Sequence, residues 1–326
     1  MAELLRVNNL KTYFYRREGI VKAVDGISYK LDYGETLGIV GESGSGKTVS
    51  VLSLLRLIRR NGWIESGEAI FDGKDLLKLS KEELREIRGR DISIIFQDPM
   101  TSLNPIMKIG IQVMEPIIWH RVMSDKEARD RAIELLRVVG IPEHKTRFWD
   151  YPFQFSGGMR QRVMIAMALA CNPKLIIADE PTTALDVTIR AQILNLMQDM
   201  KEKFGMSIIF ITHDITLAMN FCDTIIVMYA GKIVEYSLMD KFIKKPLHPY
   251  SQGLLNSTLD IETKEGSLRP IPGNPPSLIN PPSGCRFHPR CPYAQEICKE
   301  EEPELKEIEE GHKTACHLVK GGKINA

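Results

Sequence analysis

A chain of 326 residues has room for one large domain or two ordinary ones, and its 43 basic against 42 acidic residues leave a net charge of +1. That balance argues against nucleic acid as the main partner, which a strong basic excess would announce. The 43% hydrophobic and 26% charged content is that of a soluble globular protein with a sizeable core. Met1-Ala2-Glu3-Leu4-Leu5-Arg6 lacks the long apolar region of a signal peptide, and no apolar run nears the ~18 residues that a membrane span needs. The chain therefore reads as soluble, with any membrane role supplied by a partner.

The first forty residues are strand-rich. Leu4 to Leu10 is a short strand, Tyr13-Phe14-Tyr15 an aromatic cluster before a charged turn, and Val21 to Leu31 one or two further strands. An aromatic there could stack on a base, although ordinary strand packing accounts for at least two of the three. Thr36 to Val40 is a buried strand, followed by Gly41-Glu42-Ser43-Gly44-Ser45-Gly46-Lys47-Thr48, which fits G-x-x-x-x-G-K-[ST]. Val49, Leu52, Leu54, Leu55 and Ile58 then give a helix its apolar stripe. Strand, glycine loop and helix in that order turn backbone amides toward an anion. Lys47 would reach the β- and γ-phosphates, and the Thr48 hydroxyl would ligate Mg²⁺.

Glu68 to Phe71 runs into a tight turn at Asp72-Gly73, and Ile92 to Phe96 is a buried strand ending on Gln97. A Gln at the C-terminal end of a parallel strand lies where α/β sheets bind ligands, and there it could touch Mg²⁺ or orient water. From Met100 to about Ala170 the pattern is helical, with a capping box at Ser124-Asp125-Lys126-Glu127 and a stop at Gly140. Ser156-Gly157-Gly158 opens the helix Val163 to Ala170 and makes a second anion-binding helix start. Such a site makes sense if it serves the nucleotide of a neighbouring subunit. Leu175 to Glu180 is an apolar strand with two carboxylates at its end: Asp179 would hold Mg²⁺ and Glu180 would polarise a water. Ala184-Leu185-Asp186 leads into another helix, and the strand Ser207 to Thr212 ends on His213.

In this order and at this spacing, the phosphate loop, Gln97, Ser156-Gly157-Gly158, Asp179-Glu180, Asp186 and His213 resemble the ATPase subunit of an ATP-binding cassette (ABC) transporter over about residues 1–245. The resemblance implies an α/β fold: a phosphate-loop NTPase (RecA-like) core with an antiparallel β subdomain and a helical insertion at about 100–170. It also implies two cassettes head to tail, with ATP between the phosphate loop of one and Ser156 and Gly158 of the other. By the same resemblance Gln97 couples to membrane subunits, Glu180 is the general base, His213 contacts the γ-phosphate and Asp186 belongs to the nucleotide site. Phe14 takes the base-stacking place, with Tyr13 as fallback. Phe155 and Met159 depart from the commoner Leu and Gln of the family pattern.

Ten of the 18 prolines fall between Pro246 and Pro292, so residues 246–326 read as an extended, irregular extension. Leu247 to Leu255 and Asp98 to Pro105 resemble dipeptide and oligopeptide importer ATPases, most closely the D-type subunits of dipeptide permeases. That implies an F-type ATPase partner in a heterodimer, two transmembrane permease subunits, an extracytoplasmic peptide-binding protein, and a peripheral place on the cytoplasmic face of the inner membrane. Cys171 and Cys222 read as inert core residues. Cys285, Cys291, Cys298 and Cys316 are spaced C-x5-C-x6-C-x17-C, without the close pairs typical of zinc. Four thiolates in a loop-rich segment fit a 4Fe–4S cluster, Cys291-Pro292 is similar to ferredoxin ligand sequences, and some D-type subunits carry such a cluster. Zinc and free thiols are the alternatives; His288, His312 and His317 lie near the cysteines as candidate substitute ligands, although each reads first as a solvated loop histidine. The functional expectation is an ATPase that drives uptake of short peptides. A nickel or other small-solute importer is the alternative, and a soluble ABC ATPase of nucleic-acid repair or translation is disfavoured because no long coiled coil and no second cassette is present.

Overall fold

The computed structural model describes residues 2–183, 186–259, 271–320 and 323–324, so Ala184, Leu185 and Pro270 lie outside the described residues. The chain divides into two units, residues 1–78 with 210–326, and residues 79–209.

In the first unit, β1 (Glu3–Arg16) and β2 (Gly19–Asp32) form one long antiparallel hairpin rather than the shorter strands that the sequence suggests. The apolar alternation that marks a strand is interrupted by register shifts, for example between Val7 and Leu10 where Asn9 is left-handed at φ 45°. β4 (Gly62–Phe71) and β5 (Lys74–Asp75) complete a sheet in the order β2-β1-β4-β5. Asp72 and Gly73 turn between them at φ 47° and 79°, as expected for a tight hairpin.

A second sheet in the same unit pairs β3 (Thr36–Val40) in parallel with β9 (Thr224–Tyr229), and both strands are buried at every residue. Burial on both faces is why they read as unbroken apolar runs. β10 (Lys232–Leu238) runs antiparallel to β9, and β12 (His312–Thr314) and β11 (Lys306–Glu309) extend that edge. The helices here are α1 (Lys47–Leu54), α9 (Ile215–Phe221), α10 (Met239–Lys244), α11 (Pro249–Leu259) and α12 (Glu296–Glu300), and β13 (Val319–Lys320) pairs with β14 (Lys323–Ile324). Among the described residues the proline-rich extension thus carries two α-helices and lends two strands to the sheet.

One buried carboxylate ties the extension down. Glu235, 0% exposed, accepts the Leu247 and His248 amides at 2.7 and 2.8 Å and contacts His312 Nε2 at 2.7 Å. His312 is therefore a buried strand residue, not a solvated one, because it covers a carboxylate that would otherwise be desolvated alone. His317 and His288 instead bond backbone oxygens, of Glu301 and Cys285.

In the second unit, α2 (Lys81–Ile87) starts at a Ser80–Glu83 capping box and leads to β6 (Ile92–Ile95), which pairs in parallel with β7 (Leu175–Asp179). β6 stops one residue before the expected end, and Phe96 is exposed. Between these strands come α3 (Pro99–Ser102), α4 (Ile109–Trp119), α5 (Asp125–Val138), α6 (His144–Arg147) and α7 (Gly157–Ala168). The expected capping box at Ser124 and Glu127 opens α5, and Ala128, Ala132, Leu135 and Leu136 are its buried face. α8 (Val187–Phe204) follows β7, and β8 (Ser207–Thr212) is the buried strand on which the chain passes from one unit to the other.

His248 supplies a test of this packing. It is fully buried and its Nδ1 accepts the Tyr250 amide at 3.0 Å, so burial pushes its pKa down to about 4. The folded chain therefore holds it neutral where the unfolded chain, near pH 6.5, begins to charge it. Its contribution is full above about pH 6.5 and is lost as pH falls toward about 4, by about 3 kcal/mol. His248→Asn keeps an acceptor for Tyr250 and should flatten the stability slope between those pH values in denaturant titrations; equal slopes in both proteins would dismiss the assignment.

Candidate active site

The phosphate loop lies in the first unit, between β3 and α1. Gly46 caps α1 at φ 103°, with no side chain bonded to that helix end and no acidic residue in its first turn. The positive end of the helix dipole there suits an anion. A Cβ on Gly46 would sit 2.2 Å from the Ala23 carbonyl, and one on Gly41 2.2 Å from that of Met228. Neighbouring backbone thus presses the loop into place from two sides. Lys47 is 5% exposed and arches back to donate to the Gly41 and Glu42 carbonyls at 2.7 and 3.1 Å. The Ser45 hydroxyl is buried without a hydrogen-bond partner, an arrangement that a phosphate oxygen would satisfy. Ser43, Gly44 and Thr48 are exposed along the same loop.

The three aromatics of β1 are used differently. The Tyr13 hydroxyl donates to Asp25 at 2.6 Å, and the Phe14 ring fills the space over Gly62. Tyr15 is 65% exposed, with its ring 5.3 Å from that of Trp63. Sequence order alone favoured Phe14; exposure distinguishes Tyr15. His213, also in the first unit, is exposed after β8.

In the second unit, pairing of Ile95 with Ala178 brings the ends of β6 and β7 level. Gln97 Nε2 consequently donates to Glu180 Oε2 at 3.2 Å, and the Thr183 hydroxyl donates to the same oxygen at 3.0 Å. Glu180 is left-handed, at φ 47°, a conformation that non-glycine residues adopt at a cost of order 1–3 kcal/mol and mostly at functional sites. Asp179 is 7% exposed beside it. Gln97 and Asp179 offer an amide oxygen and a carboxylate, hard oxygen donors of the kind that fit Mg²⁺. Ser156 caps α7 by accepting the Met159 amide at 3.3 Å and is exposed. Phe155 is buried at 3% exposure, so the departure from Leu is a core substitution. A Cβ at Gly158 would meet Ile189 of α8 at 2.9 Å, which links this turn to the helix that Asp186 caps.

The cysteine expectation needs correction. Cys285, Cys291, Cys298 and Cys316 line one small, closed cavity with His248, Phe287 and His317. Among the described residues, however, no group of three or more His, Cys, Asp or Glu side chains is arranged to hold a metal ion. All four are free thiols. Burial pushes the thiol of Cys285 up to about 12, that of Cys316 up to about 11, and that of Cys291 upward. Neither an iron–sulfur cluster nor zinc is supported: the thiols converge as apolar packing. Spacing could not show this, because it does not report the charge environment of the sulfurs.

Comparison with known proteins agrees with the site. The sequence pattern of the "ABC transporter" family matches residues 24–183, and that of the "Oligopeptide/dipeptide transporter, C-terminal region" matches residues 234–298. The chain belongs to the ABC transporter family and is a phosphate-loop ATPase of that class. Its relatives include the oligopeptide transport ATP-binding protein AppD of Bacillus subtilis, 49% identical over 98% of this chain and 97% of that one. OppD of Escherichia coli is 49% identical over 96% and 92%, and the dipeptide transport ATP-binding protein DppD of Lactococcus lactis 49% over 96% and 90%. A dimeric post-hydrolysis structure of the ATP-binding cassette MJ0796 with ADP and Pi is 32% identical, with TM-score 0.65, covering 72% of this chain and 99% of that one. This places the chain with the ATP-binding subunits of the oligopeptide and dipeptide transporters.

The loop geometry separates two glycines. Gly46→Ala drives a methyl into the Ala23 carbonyl, whereas Gly44, at φ 79°, has open space around its Cβ position. Gly46→Ala should weaken ATP binding more than tenfold and Gly44→Ala severalfold less, at ~1 kcal/mol of backbone strain. Equilibrium binding of a fluorescent ATP analogue measures both, and equal losses would contradict the steric account.

Proposed function

We propose that this chain is the ATP-hydrolysing, energy-coupling subunit of an importer for short peptides. The observation that carries the chemistry is the glutamate at the end of β7, held in a left-handed conformation with one oxygen bonded by Gln97 and Thr183. The peptide cargo rests on the three relatives' printed names and on the matched C-terminal region; none of them speaks for nickel or for nucleic-acid repair.

Gly41 to Thr48 bind the triphosphate, with Lys47 turning from the Gly41 and Glu42 carbonyls to the β- and γ-phosphates. Tyr15, exposed on β1 beside Tyr13 and Phe14 in sequence, offers the base a ring face. Thr48, Gln97 and Asp179 would hold Mg²⁺, which neutralises charge on the phosphate oxygens when bound. Glu180 takes a proton from water as the water oxygen bonds to the γ-phosphorus and the bond to the bridging oxygen of ADP breaks. His213 donates to the γ-phosphate. Ser156 and Gly158, at the exposed start of α7, and Asp186 serve the nucleotide of a second cassette, as the dimeric state of MJ0796 suggests. For this chain the second cassette would be a homologous F-type subunit.

No helix among the described residues is long and apolar enough to cross a membrane. The subunit would therefore sit peripherally on the cytoplasmic face of the inner membrane, on two transmembrane permease subunits that receive peptide from an extracytoplasmic binding protein. ATP binding would close the cassette dimer, and hydrolysis would reopen it.

Glu180→Gln keeps the size and both hydrogen-bonded neighbours but removes the base. It should lower kcat of the assembled transporter at least about a hundredfold, with ATP affinity within about threefold of the parent. Residual hydrolysis above a tenth of the parent rate would remove Glu180 from that role.

A further inference from the structure

The phosphate loop contains a carboxylate that an anion site does not obviously want. Glu42 follows the first loop glycine, and an unpaired negative charge there would repel a triphosphate. Its partner comes from the far end of the chain. Arg290, 8% exposed, grips it with two parallel bonds, Nη1 to Oε2 at 2.7 Å and Nη2 to Oε1 at 3.0 Å. Such a fork fixes the direction of the carboxylate as well as balancing its charge. Arg290 is itself held, since Nε donates to the Pro272 carbonyl at 2.8 Å and Nη1 to the Tyr229 hydroxyl at 3.3 Å.

The backbone of Glu42 is gripped as well. Its amide donates to the hydroxyl of Tyr250, a fully buried residue of α11, at 2.9 Å. Its carbonyl accepts from Lys47. A second buried arginine of the extension, Arg286, donates to the Ala230 carbonyl at 2.5 Å and pairs with Asp25, which also accepts the Tyr13 hydroxyl. The next residue, Gly231, donates its amide to the Ser45 carbonyl of the loop at 2.9 Å. Side chain, backbone and flank of the loop are all braced by groups from beyond β9.

We propose that Arg290 is a positioning residue for the nucleotide: by pairing with Glu42 it cancels the one negative charge of the phosphate loop and fixes the loop's first turn, so that the C-terminal extension sets the affinity for nucleoside triphosphate. This rests on the reading of Gly41 to Thr48 as the nucleotide site. A triphosphate, carrying more charge than a diphosphate, is the ligand that depends on the pairing most.

The experiment measures equilibrium binding of ribose-labelled fluorescent ATP and ADP to the full chain, with thermal melting alongside. Arg290→Ala should weaken ATP about fivefold or more and ADP less. Adding Glu42→Gln to it should bring ATP affinity back to within about twofold of Glu42→Gln alone, because the charge that needed balancing is gone. Brace and bystander are separated by that rescue: a merely structural arginine would lower the melting temperature without any dependence on Glu42. Unchanged ATP affinity in a folded Arg290→Ala, or no relief by Glu42→Gln, overturns the proposal. Should Arg290→Ala not fold, Arg290→Lys replaces it, reaching Glu42 with one bond in place of two. A loss of about threefold at the parental melting temperature supports the proposal and parental affinity overturns it. Lys47→Ala is the control. If it still binds ATP, the loop is not the nucleotide site and that reading fails first; if it loses ATP while Arg290→Ala does not, only the role of Arg290 falls.

Discussion

A loop that binds a polyphosphate holds polar groups ready for an anion, and buried polar groups without partners are unstable. Everything near Gly41 to Thr48 answers that constraint. Lys47 satisfies itself on the carbonyls of Gly41 and Glu42, while the Ser45 hydroxyl has no partner at all. The loop cannot collapse to relieve this, because backbone from β2 and β9 abuts Gly46 and Gly41. A rigid frame is therefore what keeps the site open for an anion.

The hydrolytic end is organised by a different device. Parallel pairing of β6 with β7 places Gln97 and Glu180 side by side, so the carboxylate gains a partner from the neighbouring strand. The strain at Glu180 is opposed by two hydrogen bonds to one oxygen.

The extension is less a tail than a third wall of the first unit. Glu235 anchors its start, Arg286 and Arg290 its middle, and the strands β11 and β12 its end. Buried carboxylates and guanidiniums of this kind add little net stability, but leaving one unpaired is expensive, so they specify which surface docks. The four cysteines occupy the interior of that wall. The burial that makes them converge also raises the thiols of Cys285, Cys291 and Cys316.

The phosphate loop, Gln97, Ser156, Gly158, Asp179 and Glu180 were all legible in the sequence, because glycine loops, helix caps and strand-end polar residues have local causes. So were the capping box of α5 and the buried strands β3, β7, β8 and β9, whose apolar runs follow from burial on both faces. The length of β1, the exposure of Tyr15, the burial of His312 and the state of the cysteines were not. Each depends on partners that are distant in sequence: bulges matched across a hairpin, a carboxylate at Glu235, or the packing that buries the sulfurs. The grip of Arg290 on Glu42 is the extreme case, since one residue opens the nucleotide site and the other lies 248 positions away. Local pattern determined where the glycine loop, the helix caps and the strand-end polar residues lie; only packing decided what holds them there, because desolvated charge must find its partner wherever the fold brings one.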